Sequence, residues 1–290
     1  MKVAILGCEN SHAWTFAKHI KENKRYKDIE LLGIFGYDDE GAQKIVENGH
    51  CDYVTNDPHE FLGKVDAIIC TARHGDNHYE CCMPYIKAGI PCFVDKPFTA
   101  DLNKGIEMIE EAKKSGALLC GGSSLKFMPG LKKIADFIKE KGQVTAGNLS
   151  APVNLFNEHG GFFFYSQHLI EMMLTAFGDG VKSVFARADE EKKKVTFIAD
   201  YGDFDVTGHY YDCYHYTCDV VSREGTLHAE NIAGRDGAQM ADWFLAEFDE
   251  FVNMVKTKKM NMSYERLLLP VKILNAIYES YKTGKEVEIK

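Results

Sequence analysis

No apolar run in the sequence approaches the roughly 18 residues that a membrane span requires, and the opening run VAILG meets Glu9 almost at once. A secretory segment needs a longer apolar stretch, so a cytoplasmic protein is expected. The sequence also lacks a block of basic residues. Its 34 Lys and Arg stand against 43 Asp and Glu, a formal net charge of -9. That balance repels phosphate backbones and anionic lipid, so neither nucleic acid nor a membrane surface is an expected partner. EEKKKV at 190–195 is mixed in sign and reads as a solvated turn between strands. Regular cysteine spacing is absent too. Nine cysteines are scattered over 290 residues, a usage that suggests reduced thiols inside a cell rather than a disulfide scaffold. There is no internal repeat, low-complexity tract or long flexible linker. What remains, 45% hydrophobic and 27% charged residues, suits a packed body of enzyme size with two domains.

Up to about residue 120, short apolar runs (KVAILG, IELLGIF, VDAIICTA, PCFVDKP, ALLCGG) alternate with segments of helical spacing such as SHAWTFAKHIKEN and NKGIEMIEEAKKSG. This is a βαβ series, which folds as a parallel sheet covered on both faces, with ligands at the carboxyl ends of its strands. After KFMPGLKKIADFIKEKG the rhythm changes to period-two runs with DYGD and REGT as turns, read as consecutive antiparallel strands. Two helices close the chain, the last stopped by Gly284. The expected fold class is α/β: an N-terminal Rossmann doubly wound parallel sheet over 1–121, then a C-terminal α/β domain with an open, mostly antiparallel sheet over 122–290.

The first strand leads into GCENSHA, where a dinucleotide-binding loop would continue G-x-G-x-x-G. Gly7 keeps the tight turn, but Glu9 and His12 replace the second and third glycines. The N–H groups at the start of the following helix still favour a phosphate. Ser11 is a candidate cap for that helix, and Asn10 or His12 is placed to reach a cofactor. The acid expected after the second strand, which would bind a ribose hydroxyl, falls in IFGYDDEG; Gly36 takes its usual place and Asp38 is the nearest alternative. With no Arg or Lys in that turn, NAD is favoured over NADP. At the end of the fifth strand Pro97 holds Lys96 in extended geometry, so that its amine points into the crevice.

In HYYDCYHYTC, zinc would require His209, Cys213, His215 and Cys218 to converge. Read as one strand, the segment spreads His209 to His215 over about 20 Å and puts Cys218 on the opposite face. No metal is expected.

FVDKPFTADL, together with the order of blocks around it, resembles the Gfo/Idh/MocA family of NAD(P)-dependent sugar and polyol dehydrogenases. Asp95-Lys96-Pro97 stands where that family carries Glu-Lys-Pro, and SLKFMPGLKKI and YERLLLPVKILNAIYESYKTGKEVEI match later blocks. The resemblance implies that Lys96 stabilises alkoxide charge beside nicotinamide, and that Ala72, His74, Asn77, His78 and Asp95 line the cofactor. It also implies that His168, in HGGFFFYSQHLIEMM, is the acid/base of an Asp-x-x-x-His motif. Phe164 occupies the aspartate position, and Tyr165, one helical turn from His168, is the candidate substitute. The implied activity is hydride transfer between NAD(P) and a hydroxyl of a sugar, polyol or related compound, in a homo-dimer or homo-tetramer. Two alternatives stay open: a catalytically silent nucleotide- or sugar-binding protein of the same fold, and a sugar lyase or glycosidase that uses NAD transiently.

Overall fold

The computed structural model describes residues 1–212, 214–231 and 238–290, with the side chains of 231 and 238–241 left aside. The chain divides into two compact units: Met1–Gly122 with Phe244–Leu268, and Ser123–Trp243 with Leu269–Lys290. A division at 121/122 assigns all of 244–268 to the second domain; the contacts group that segment with the first. The reason is a buried helical stripe: Phe244 meets the His12 ring, Phe248 meets Phe16 and Tyr26, and Phe251 meets Phe93.

The first unit holds strands β1 (Lys2–Leu6), β2 (Glu30–Phe35), β3 (Val54–Thr55), β4 (Ala67–Cys70), β5 (Cys92–Asp95) and β6 (Leu119–Gly122). They are ordered β3-β2-β1-β4-β5-β6, and every neighbouring pair is parallel. That is the doubly wound order, whose direction reverses between β1 and β4. Val3–Leu6, Ile68–Cys70 and Cys92–Val94 are wholly buried, as strands covered on both faces must be. Helices α1 (Ser11–Glu22), α2 (Asp39–Glu47), α3 (Gly75–Lys87) and α4 (Leu102–Ser115) connect the strands. In α1 the buried residues His12, Ala13, Phe16, Ala17 and Ile20 form one stripe at helical spacing.

The second unit holds α5 (Pro129–Lys141), β7 (Val144–Pro152), α6 (Phe162–Phe177) and strands β8 (Ser183–Asp189), β9 (Lys194–Asp200), β10 (Asp205–Tyr211), β11 (Tyr216–Ser222) and β12 (Gly225–Asn231). Helices α7 (Ala238–Thr257) and α8 (Tyr264–Thr283) give residues to both units, and β13 (Val287–Glu288) ends the chain. The sheet order is β12-β11-β7-β10-β9-β8-β13. The antiparallel strands are therefore not all consecutive: β7 lies between β10 and β11, parallel to the first and antiparallel to the second. EEKKKV does form the β8–β9 turn, with Lys193 at φ 49.

HYYDCYHYTC is consequently not one strand. His209 lies on β10 and Cys218 on β11, on either side of β7; Cys213 falls outside the described residues. Among the described residues no three His, Cys, Asp or Glu side chains are grouped to hold a metal. Among them, too, no helix is long and apolar enough to cross a membrane.

Candidate active site

The carboxyl ends of β1, β2, β4 and β5 lie along one edge of the parallel sheet, and hydrogen bonds tie them together. Gly7 N donates to Phe35 O at 2.7 Å, Thr71 N to Leu6 O at 2.8 Å and Thr71 Oγ1 to Gly7 O at 2.6 Å. Gly7 has φ +90, and a Cβ there would fall 2.3 Å from the Ala72 backbone, so only glycine permits this crossing. Gly41 performs a second such service: a Cβ on it would lie 2.1 Å from Cys8 O, which fixes the start of α2 against the loop after β1.

Glu9 shows how the loop dispenses with its second glycine. Its side chain is buried, and its carboxylate accepts N–H bonds from Cys8 at 3.1 Å, Tyr37 at 2.6 Å and Arg73 at 3.2 Å. One carboxylate thus joins the loops that follow β1, β2 and β4. The cap of α1 is Asn10 rather than Ser11: Asn10 Oδ1 accepts from His12 N and Ala13 N at 2.9 and 3.3 Å, while Ser11 is exposed. Asn10 has the extended backbone of a cap (φ −134, ψ 172), whereas Ser11 is already the first helical residue. Asn10 Nδ2 also donates to Thr71 O at 2.6 Å and Asp95 Oδ2 at 3.3 Å.

His12 is buried with its ring between two carboxylates. Nδ1 lies 3.3 Å from Asp95 Oδ2 and Nε2 3.2 Å from Glu247 Oε2, and both acids are fully buried. Phe244 packs against the ring, with centroids 4.1 Å apart. Burial acts to lower the His12 pKa, but Asp95 and Glu247 outweigh it and the value is raised, with Lys96 opposing. Lys96 follows Asp95, joined to Pro97 by a cis peptide, and its N donates to Asp95 Oδ1 at 2.7 Å. Burial pushes the ammonium below the ordinary lysine value; Asp95 and Glu247 resist, and Arg73 adds to the lowering.

His78 braces the Lys-Pro turn. It is fully buried, with Nδ1 2.8 Å from Pro97 O and Nε2 2.8 Å from Ala72 O. Burial lowers its pKa against the pull of Asp95 and the carbonyls. His74 caps α3, its Nδ1 accepting from Asp76 N at 3.2 Å. Asn77 lies in the first turn of the same helix. Asp38 caps α2, accepting from Gly41 N at 2.9 Å. The structure thus links Gly7, Glu9, Asn10, His12, Ala72, His78, Asp95 and Lys96 in one network. Ser11, Asp38, His74 and Asn77 occupy loops and helix starts beside it.

This arrangement suits a dinucleotide. Glu9 is folded inward, and among the described residues the N–H groups of Asn10 and Ser11 take no partner. They remain free for a phosphate at the start of α1.

In the second unit, α6 is apolar nearly all round and buried from Ser166 to Leu174. Tyr210 on β10 donates to Ser166 O at 2.7 Å and fixes the helix to its sheet. His168, in the second turn, is 8% exposed, and its Nδ1 lies 2.6 Å from Ser123 Oγ. Ser123 also accepts from Leu125 N at 3.2 Å, which holds the hydroxyl in place. Tyr165 meets the His168 ring with centroids 5.7 Å apart, and Tyr216 does so at 5.8 Å. Phe164 packs between Tyr165 and His159. Sequence spacing identified neither Ser123 nor Glu247, since each meets its histidine only through the tertiary fold. The serine pair in GGSSLKF, directly after a strand, was the one local sign of the first.

A doubly wound sheet of this order, with a Lys-Pro turn at its fifth strand and a glycine at the first strand's end, has the architecture of a dinucleotide-binding unit. Residues 1–122 match the GFO_IDH_MocA profile, described as "Oxidoreductase family, NAD-binding Rossmann fold". Over 181 residues the chain is 25% identical to the myo-inositol 2-dehydrogenase of Thermotoga maritima, an alignment covering 58% of this chain and 53% of that one. The chain spans about half the length of the curated relatives it matches. Among solved structures it resembles GenD2 from gentamicin A biosynthesis in complex with NAD, with TM-score 0.86, 15% identity and coverage of 100% of this chain and 96% of that one. It also resembles scyllo-inositol dehydrogenase from Lactobacillus casei with bound NAD(H) and scyllo-inositol, with TM-score 0.82, 15% identity and coverage of 100% and 99%. At these identities the structural likeness concerns the fold.

Proposed function

We propose that the protein is an NAD-dependent dehydrogenase acting on a secondary hydroxyl of a sugar or polyol, with cyclic polyols of the inositol kind as the first substrates to try. The observation that carries this reading is Lys96 at the carboxyl end of β5, its amine steadied by buried Asp95 and Glu247, in a sheet of the oxidoreductase family. NAD, when bound, supplies the hydride acceptor. Lys96 places a cation against the substrate oxygen as negative charge grows there. His168 takes the hydroxyl proton. Ser123 Oγ can accept an Nδ1–H at 2.6 Å, and in that tautomer the Nε2 lone pair is left as the base. Tyr165 and Tyr216 wall the ring and keep it out of water.

The absence of the adenosine-side basic residues supports NAD over NADP, and Glu9 adds a carboxylate at the tips of β1 and β2. A thermal-shift series with NAD, NADP and their reduced forms, followed by polyols added to the stabilising nucleotide, tests the reading. A larger shift with NAD than with NADP, and NADH formed from at least one polyol, is expected; no shift with any nucleotide would reject it. One observation favours a silent binding protein instead, the apolar Phe164 beside Tyr165 and His159. That protein would bind nucleotide and form no NADH.

A further inference from the structure

Among buried groups of the first unit, His12 is the one whose chemistry the usual glycine at its position could not supply. Its two ring nitrogens lie 3.3 Å from Asp95 and 3.2 Å from Glu247. A neutral imidazole carries a single N–H and would set a lone pair against one of those carboxylates; an imidazolium offers both. The charged and titratable groups facing the ring are Asp95 and Lys96 at the end of β5 and Glu247 on α7, while Phe16 on α1 and Phe244 on α7 complete its walls without charge. Asp95 is held in turn by Asn10 Nδ2 and by the Lys96 backbone N–H.

We propose that His12 is a positioning residue for Lys96: its imidazolium bridges Asp95 and Glu247, shares their negative field with the Lys96 amine, and so keeps Asp95 in place beside the Lys-Pro turn. This deepens the dehydrogenase reading and rests on it for its kinetic consequence. When His12 loses its proton, one carboxylate faces a lone pair and the bridge opens. Activity therefore carries a limb that falls as pH passes the His12 midpoint. Asp95, Glu247 and Lys96 set that midpoint by opposing charges, and coupling between sites acts equally in both directions.

The test is an NMR titration of the His12 ring in the intact protein without nucleotide, so that it stands apart from turnover. In the wild type both ring nitrogens should be protonated at pH 7, with a midpoint above the ordinary 6.5. Glu247→Gln should lower that midpoint by about one unit and Lys96→Met should raise it by a fraction of a unit. A neutral, single-tautomer ring at pH 7, or shifts of the same sign in both variants, would overturn the proposal. The falling limb of kcat should move down with the midpoint in Glu247→Gln, a displacement that a purely structural role does not produce; a limb that stays in place while the midpoint moves would also overturn it. Absence of NADH formation in the wild type would instead count against the dehydrogenase reading, and the ring titration would still decide the bridge.

Discussion

At the scale of single residues, the chain departs from the pattern of the family it resembles at three positions, and at each the structure supplies another contact. Glu9 stands where backbone would approach a pyrophosphate, yet its side chain turns inward onto three loop N–H groups. His12 stands where a glycine would let helix and strand pack, and it becomes the bridge between Asp95 and Glu247. Phe164 replaces an aspartate, and the His168 ring takes its Nδ1 partner from Ser123. Lys96 was singled out by the proline that follows it, and His168 by the resemblance of HGGFFFYSQHLIEMM to a family motif. Ser123 and Glu247 were out of the sequence's reach, being 45 and 235 residues from the histidines they meet. Lys96→Met is expected to lower kcat about 100-fold or more, the cost of one oxyanion donor, with the circular dichroism spectrum unchanged. Ser123→Ala should lower kcat about tenfold and broaden the pH profile as the ring loses its fixed tautomer; steady-state rates across pH check both.

Elements were legible in proportion to how locally they are specified. The βαβ run declared itself through wholly apolar strands and capped helices, and β1, β2, β4, β5 and β6 fall in the runs named from sequence. The two-residue β3 carries no pattern to detect. Strand β7 was missed because VTAGNLSAP has glycine, asparagine and serine where β-branched residues would signal a strand, and only pairing with β10 and β11 defines it. The cap of α1 was misplaced by one residue for a related reason: Asn10 and Ser11 are both good caps, and the backbone path decides between them. Asn10→Ala should cost about 1 kcal/mol of stability and loosen the Thr71 and Asp95 contacts, measurable by urea denaturation. Gly7→Ala should cost more, about 2 kcal/mol or above, since φ +90 and the 2.3 Å approach to Ala72 act together; a loss under half that would show that the crossing can relax.

For the whole molecule, pH ties stability to the same cluster that supports the proposed chemistry. The native pKa of His12 is raised above its unfolded value, so the native state binds the extra proton. The stabilisation is full below about 6.5 and is lost as pH rises through the higher native value. Unfolding free energy measured from pH 6 to 9 should show this decline in the wild type and not in His12→Gln. The two-unit division also bears on sequence reading, for a segment more than 100 residues beyond Gly122, Phe244–Leu268, returns to the first unit and brings Glu247 with it. No linear boundary could have expressed that. The claim on which the account turns is hydride transfer assisted by Lys96, and it is met most directly by following absorbance at 340 nm with the protein, NAD and a panel of inositols and sugars. The account predicts NADH from at least one polyol, and its loss in Lys96→Met with nucleotide binding retained. Undiminished NADH formation by that variant would contradict it.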